Sequence, residues 1–392
     1  MTFATEEELQ WSFALANDAV YFASSDGQTK YYGFGKHAEL IGGSFEQVQD
    51  WLDKVQKANP QPVFGGFAFD DQQINDSELM NGYFFQPAVV YDVVKQKIIG
   101  QNIDLVRQTQ PNGTKILTTK DETDWSARIQ TAVDDMKQNL VHEKVVLGRQ
   151  RQITLSSDLN ESQLIRSLQK TQRTSYHFIL KHCGELFVSA TPERLVKVDN
   201  GKIATAAVAG TIKRGENPVD DEILADELWH DQKNRIEHQT VVETIKVNLQ
   251  AANITDLQMP TAPQILKNPQ VQHLYTPITG KLTDDNNLLA IVKQLHPTPA
   301  LGGKPRSWAL SVIKAIEKYP RGLFSGPVGV MKADGDGEFI VGIRAMWYHN
   351  KRANLFAGAG ILAGSDAQME YQETDLKLVP MMNVLKEQTL HD

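Results

Sequence analysis

The sequence contains a single cysteine, Cys183, among its 392 residues. One thiol cannot form a disulfide within the chain, which excludes a cross-linked secreted scaffold and favours a reducing compartment. Long hydrophobic runs are also missing, because no stretch of about 18 uncharged apolar residues occurs, so no membrane-spanning helix is expected. The opening residues MTFATEEELQ lack the basic and apolar regions of a signal peptide. We therefore expect a cytoplasmic protein.

Basic residues are also fewer than acidic residues. The chain has 40 Lys and Arg against 48 Asp and Glu, a formal net charge of −8. A nucleic-acid partner would need a basic surface patch, so none is expected. The zinc motif HExxH and clusters of Cys and His at metal spacing are both absent. With 41% hydrophobic and 22% charged residues, the composition is that of a globular protein with a sizeable core. Its function is expected in a small-molecule site.

The first hundred residues are predicted to form structural scaffold. The apolar spacing between Ser44 and Val55 predicts an amphipathic helix, and residues 63–71 and 84–94 predict strands. The polar run from Gln108 to Asp124 is the candidate boundary between an N-terminal variable part, residues 1–120, and a catalytic part, residues 121–392. Both parts are expected to belong to one structural domain.

A strand followed by a helix near the C-terminus carries the first candidate site. Residues 356–362 are apolar but interrupted by Gly358 and Gly360, which indicates close approach of a backbone or a ligand. Ser365, followed three residues later by Gln368, has the form of a capping box and predicts a helix start.

Three charged residues share one face of this helix: Glu370, Glu373 and Lys377, at i, i+3 and i+7. The two carboxylates indicate either a hard-cation site or an ordinary solvated acidic face. A third carboxylate, Glu237, lies on a predicted helix from about Asp226 to Leu249. Three glutamates without histidine or thiolate favour Mg²⁺ over zinc.

Two further residues are candidates for proton transfer. Lys144 begins the predicted strand KVVLGRQRQI, where it is either a lysine reaching the solvent at the sheet rim or a desolvated general base. Glu193 follows Pro192 in a turn between two apolar strands. It is either a turn carboxylate paired with Arg194 or an acid with a raised pKa.

Two further residues indicate contact with a ligand, one through its backbone and one through its charge. Gly210 interrupts a strand of small residues, where its backbone can approach a ligand. Arg344 is predicted in the middle of the strand EFIVGIRAMWY, and a buried guanidinium there needs an anion. The segment KADGDGEF is predicted to be a hairpin turn, because Ala345 stands where a calcium loop needs glutamate.

These segments together resemble the chorismate-utilising enzymes. The resemblance extends from about Trp125 to Leu385 and is carried, in family order and spacing, by KVVLGR, SATPERL, AVAGT, DQKNRIEH, LHPTPALGG, GLFSGPVG, GIR, FAGAGI and EYQETDLK. It implies an α+β fold with a single large domain, in which two antiparallel β-sheets pack face to face with helices outside.

The resemblance also implies which member of the family this is. Ala209 stands where aminodeoxychorismate synthases carry a nucleophilic lysine, and Lys144 stands where anthranilate synthases have glutamine. Phe324 occupies a position that is tyrosine in salicylate synthases. These differences favour the menaquinone-type isochorismate synthases, which add water to chorismate.

The implied roles follow from the same resemblance. Lys144 is the base and Glu193 the acid, while Glu237 and Glu373 hold Mg²⁺ with Glu370 acting through water. The implied substrate-binding residues are Gly210, Thr211, Ala300, Leu301, Phe324, Ile343, Arg344, Gly358, Gly360 and Lys377.

The implied protein is a monomer that binds chorismate and needs no glutamine amidotransferase subunit. Two alternatives stay open. A salicylate synthase would use the same lysine and glutamate but also eliminate pyruvate, and a non-catalytic protein would only bind chorismate.

Overall fold

The computed structural model describes residues 3–101, 103, 105, 113–268, 271–283 and 285–389. In these ranges the chain forms nine α-helices and nineteen β-strands. The helices are α1 (Glu6–Leu15), α2 (Phe45–Ala58), α3 (Trp125–Gln138), α4 (Glu161–Thr171), α5 (Pro218–His230), α6 (Gln232–Ala251), α7 (Leu288–Leu295), α8 (Arg306–Ile316) and α9 (Ala367–Gln388). The strands are β1 (Ala19–Ala23), β2 (Lys30–Ile41), β3 (Val63–Gly66), β4 (Tyr83–Asp92), β5 (Lys97–Gly100), β6 (Ile116–Asp121), β7 (Lys144–Leu155), β8 (Tyr176–His182), β9 (Glu185–Thr191), β10 (Arg194–Asp199), β11 (Lys202–Lys213), β12 (Thr255–Gln258), β13 (Gln264–Lys267), β14 (Val271–Lys281), β15 (Gly303–Lys304), β16 (Pro327–Met331), β17 (Gly337–Val341), β18 (Ala345–His349) and β19 (Arg352–Ile361).

The strands form one continuous antiparallel sheet. Neighbours follow the order β14, β11, β10, β17, β16, β3, β4, β2, β1, β8, β9, β18, β19 and β7, and β6 and β15 pair with β7. Apolar residues from both halves of this order form one buried cluster, in which Phe64 and Val328 lie with Phe178, Phe187 and Phe356. The sheet therefore folds back on itself, and its two halves are the two facing layers that we predicted.

The N-terminal scaffold joins these halves. β2 pairs with β4 in one half, and β1 pairs with β8 in the other, so the N-terminal strands and the catalytic strands share one hydrogen-bonded sheet. The helix predicted after Ser44 is α2, and its capping box is present. The predicted strands correspond to β3 and β4, although β3 ends at Gly66. Within the predicted boundary segment, Gln108 to Asn112 lie outside the described residues.

Helices cover the outer faces of both halves, as amphipathic helices must to bury their apolar stripes. One outer core contains α2, α3, α6, α7 and α8, and the other contains α1, α4 and α9. The hairpin turn predicted at KADGDGEF is confirmed, since it connects the paired strands β16 and β17.

Two predicted helix boundaries are wrong. The single helix expected from Asp226 to Leu249 is interrupted at Asp231, whose side chain accepts the N–H of Asn234 and thereby caps the start of α6. At α9 the N-cap is Asp366 and not Ser365, because the Asp366 carboxylate accepts from two first-turn amides. The Ser365 hydroxyl instead binds Glu370.

Candidate active site

A cavity of about 370 Å³ lies where the start of β7 and the glycine-containing ends of β11 and β19 meet α6 and α9. All of the residues predicted for the site line this one cavity. They are Lys144, Glu193, Gly210, Thr211, Glu237, Ala300, Leu301, Phe324, Ile343, Arg344, Gly358, Gly360, Glu370, Glu373 and Lys377. The structure therefore brings together residues from distant parts of the chain, from Lys144 to Lys377. Their individual roles stay predictions.

Lys144 is paired inside the cavity and does not extend to the solvent at the sheet rim. Its side chain is 14% exposed, and Nζ donates to Glu237 Oε1 over 2.6 Å. Gly360 on the neighbouring strand makes room for this side chain, since a Cβ at that position would lie 2.8 Å from Lys144 Cε. The glycine in this strand therefore allows the close approach of another group, as the interrupted strand pattern predicted, and the group is the Lys144 side chain.

Glu193 lies in the turn between β9 and β10, as predicted. Its expected alternative partner, Arg194, instead binds Glu338, with 2.7 Å between Arg194 Nε and Glu338 Oε1. Burial raises the pKa of Glu193 to about 7, although the positive charges of Arg344 and Lys144 oppose this change. The carboxyl can therefore hold a proton close to neutral pH and release it within the cavity.

The acidic face of α9 is directed into the cavity and is only partly solvated. Ser365 Oγ donates to Glu370 Oε1 over 2.7 Å, and Lys377 Nζ lies 2.7 Å from Glu373 Oε1. Burial raises the pKa of Glu370, and the neighbouring charge of Glu373 adds to this effect. Lys377 Nζ also donates to the Gly358 carbonyl over 2.8 Å, which ties the helix to β19.

The donor set formed by Glu237, Glu370 and Glu373 fits a hard divalent cation. All three are carboxylates in one cavity, and the repulsion between Glu370 and Glu373 is the kind that a cation relieves. Among the residues that the structure describes, however, no three His, Cys, Asp or Glu side chains are already gathered closely enough to hold a metal ion together. Each carboxylate is bonded to another side chain instead, so a cation would compete with Lys144 for Glu237 and with Lys377 for Glu373.

Arg344 contributes a buried guanidinium. The prediction that it lies in the middle of a strand is wrong: it lies in the connection between β17 and β18, with a φ of 47°. Its Nη1 is buried and has no hydrogen-bond partner among the described residues. Burial lowers the pKa of Arg344 to about 10, an effect that Glu193 partly opposes. A buried cation with a free donor favours a bound anion.

Gly210 has a left-handed backbone, with a φ of 75°, at a bulge in β11. A Cβ there would lie 3.2 Å from the side chain of Asn234. The bulge lets the chain turn Thr211 towards the cavity while α6 packs against the strand.

His273 on β14 lines the cavity but was not predicted. Its Nδ1 lies 3.0 Å from Thr211 Oγ1, its register partner on β11. Burial, together with the charges of Arg344 and Lys377, lowers the pKa of His273 to about 3, so its imidazole is neutral. Only the pairing of β11 with β14 could have indicated this residue. Lys233 and Asn234, at the start of α6, also line the cavity; they belong to the segment DQKNRIEH but were not predicted as site residues.

The cavity thus combines a carboxyl that titrates near neutrality, an amine, further carboxylates and the cations Arg344 and Lys377. These groups define a site for acid–base chemistry on a small molecule with several negative charges.

The chain belongs to the family of chorismate-binding enzymes, whose family model matches residues 99–386. It is 34% identical over 400 residues to the isochorismate synthase MenF of Bacillus subtilis, and the alignment covers 95% of this chain and 84% of that protein. It is 37% identical over 268 residues to the salicylate biosynthesis isochorismate synthase of Pseudomonas aeruginosa, covering 68% of this chain and 56% of that protein.

The solved structure of MenF, the menaquinone-specific isochorismate synthase of Escherichia coli, has the same fold. Its TM-score with this chain is 0.83 at 24% identity, and the match covers 96% of this chain and 91% of that one. The predicted family and the predicted fold are confirmed, and the chain is an enzyme of the chorismate-binding class.

Proposed function

We propose that this chain is an isochorismate synthase, which adds water at C2 of chorismate while the 4-hydroxyl leaves. The observation that carries the proposal is that Lys144 and Glu193 share one cavity, and that burial raises the pKa of Glu193 to about 7. One group can accept a proton from water, and the other can give a proton to a departing hydroxyl. The names of the Bacillus and Pseudomonas relatives support the choice of this reaction.

The protons balance in the proposed reaction. Lys144 Nζ accepts one proton from the attacking water, whose oxygen bonds to C2 as the ring double bonds shift and the C4–O bond breaks. Glu193 donates its proton to the leaving oxygen, which departs as water. One water enters and one leaves, and proton exchange with solvent restores both side chains.

Lys144 must be a free amine to act as this base. In the structure Nζ donates to Glu237, and this contact must be released before Nζ can accept a proton from water. The Mg²⁺ expected at Glu237, Glu370 and Glu373 would supply charge neutralisation and orientation for the ring carboxylate.

The cations of the site would hold the substrate. Arg344, with its free buried Nη1, would bind the enolpyruvyl carboxylate. Lys377 and the backbone amides near Gly210 and Thr211 would complete the contacts to the polar groups. Ala300, Leu301, Phe324 and Ile343 provide the apolar wall for the ring. The stacked rings of Phe324 and Phe356, 5.1 Å apart, keep that wall rigid.

The choice of water over ammonia rests on two positions. Ala209 lines the cavity and offers no amine for a covalent intermediate. Lys144 is a base, and a base serves a nucleophile that must lose a proton before it attacks, which ammonia need not do. No glutamine amidotransferase subunit is then required, and we propose that the enzyme acts as a monomer.

We further propose that the product enters menaquinone biosynthesis in the cytoplasm. The support is the similarity to the Bacillus subtilis MenF, which covers 95% of this chain and 84% of that protein. In the described part of the chain, no helix combines the length and the apolar character needed to cross a bilayer. Deletion of the gene should produce a menaquinone deficiency that added menaquinone relieves, whereas a purely siderophore-related defect would contradict this assignment.

Product analysis tests the activity. Purified protein, chorismate and Mg²⁺ should yield isochorismate, and in ¹⁸O-labelled water one label should enter the ring. Pyruvate release would instead indicate a salicylate synthase. Anthranilate formed with ammonium, or a ring without label, would show that water is not the nucleophile. No turnover with unchanged chorismate binding would indicate a binding protein.

A further inference from the structure

Arg149 on β7 is a buried charge that the proposed reaction does not use. Its side chain has no exposed surface, and each of its three nitrogens donates a hydrogen bond. Nε donates to Thr374 Oγ1 over 2.6 Å, Nη1 to Asp121 Oδ1 over 2.9 Å, and Nη2 to Asp375 Oδ1 over 2.6 Å. The guanidinium carbon also lies 4.0 Å from the centre of the Tyr371 ring. A buried guanidinium with this many directed contacts holds its partners in one geometry.

Most of these partners belong to a single turn of α9. Tyr371, Thr374 and Asp375 alternate along the helix with Glu370, Glu373 and Lys377, which line the cavity. Because neighbouring residues on a helix are about 100° apart, the contacts made by one face determine where the other face points. A planar group that contacts three positions on the helix resists both rotation and sliding.

The same strand carries Lys144. Since side chains alternate along β7, Lys144 and Arg149 lie on opposite faces of it. The strand thus presents the proposed base to the cavity on one face and anchors α9 with the other.

We propose that Arg149 is a positioning residue, which sets the orientation of α9 and thereby the placement of Glu370, Glu373 and Lys377 relative to Lys144. The part of this inference that concerns Mg²⁺ rests on the proposed function, and the part that concerns the helix does not.

The chain offers a matched pair of variants for the test. Asp121 and Asp375 each accept hydrogen bonds from both Arg149 and Arg151, at distances between 2.6 and 2.9 Å. Asp375 is on α9, whereas Asp121 ends β6 and is linked to the helix through the two arginines. Asp375→Asn and Asp121→Asn therefore remove similar ion pairs, but only the first removes a contact made by the helix itself.

Two measurements on the full chain test whether Arg149 positions α9. Calorimetric titration with Mg²⁺ alone should show at least tenfold weaker binding for Asp375→Asn and less than twofold weaker binding for Asp121→Asn. Hydrogen exchange of residues 367–378 should be faster in Asp375→Asn only. If Asp375→Asn does not fold, Thr374→Val, which keeps the shape and removes the acceptor of Arg149 Nε, takes its place with the same expectations.

Equal exchange of residues 367–378 in the two aspartate variants would overturn the inference and leave Arg149 a general stabilising residue. If the parent protein binds no Mg²⁺ and forms no isochorismate, the proposed function fails, and the exchange measurement still decides whether Arg149 positions α9.

Discussion

Replacing Glu193 with glutamine should abolish catalysis and, at the same time, stabilise the protein at neutral and alkaline pH. The physical reason is the burial of this carboxyl, which raises its pKa from the ordinary value of 4.5 to about 7. A group that gives up its proton less readily in the folded protein than in the unfolded chain opposes folding once the pH rises. Glutamine keeps the shape and has no proton to lose.

The size of the effect follows from the pKa values. Below about pH 4.5 the carboxyl is protonated in both states, and no penalty exists. Between that pH and about 7 the unfolded chain loses the proton first, so stability falls as the pH rises, and above 7 the loss stays constant. At about 1.4 kcal/mol for each unit of pKa, the full penalty is about 3 kcal/mol.

Chemical denaturation at a series of pH values measures this penalty. The difference in unfolding free energy between Glu193→Gln and the parent should grow in favour of the variant by about 2 kcal/mol from pH 5 to pH 8. Any cost of burying the amide is the same at every pH and cancels in this comparison. Glu216→Gln, at an exposed loop position, is the matched control and should show no such trend.

Parallel stability curves for Glu193→Gln and the parent would refute the argument, because they would mean that Glu193 titrates alike in the folded and unfolded chain. The parent's activity gives an independent check. If protonated Glu193 is the acid, kcat/KM should decline as the pH rises through about 7.

The remaining predictions concern other groups of the cavity. Lys144→Ala should lower kcat by about 10² to 10⁴ with chorismate binding retained, and near-normal turnover would remove Lys144 from the role of base. Gly360→Ala should lower kcat at least about tenfold without unfolding the chain, because the new methyl group displaces the Lys144 side chain; an unchanged kcat would show that the lysine can relocate. Glu237→Gln should eliminate Mg²⁺ binding in calorimetry while the denaturation midpoint stays near that of the parent, and full activity would exclude Glu237 from the site. Arg344→Gln should raise KM for chorismate about 10- to 100-fold, the loss expected for one charge-assisted hydrogen bond, and an unchanged KM would show that the substrate carboxylate binds elsewhere.

Local pattern was enough to predict much of this protein. The scaffold helix after Ser44 and the turn that displays Glu193 depend on side chains only a few residues apart, so their causes are visible in a short window of sequence. The same holds for the shared face of Glu370 and Glu373. Gathering the site residues from distant segments relied on family resemblance, because no local rule brings Lys144 next to Glu237.

The tertiary structure decided the points where a distant partner competes with a local preference. Ser365 has the sequence of an N-cap, but its hydroxyl binds Glu370 while Asp366 caps the helix. Arg344 fits a strand pattern, yet it adopts a left-handed backbone between two strands and keeps a free donor in the cavity.

The chemistry of the site also depends on the fold. The pKa of Glu193 is raised because both halves of the sheet and the helices around them remove water from its turn, and a sequence window contains no information about that desolvation. His273 reaches the cavity only because β14 pairs with β11. Arg149 on β7 contacts Thr374 of α9, which lies 225 residues later in the chain. The sequence alone determined which chemical groups were available, and long-range packing determined their distances and protonation, because both depend on which segments exclude water from one another.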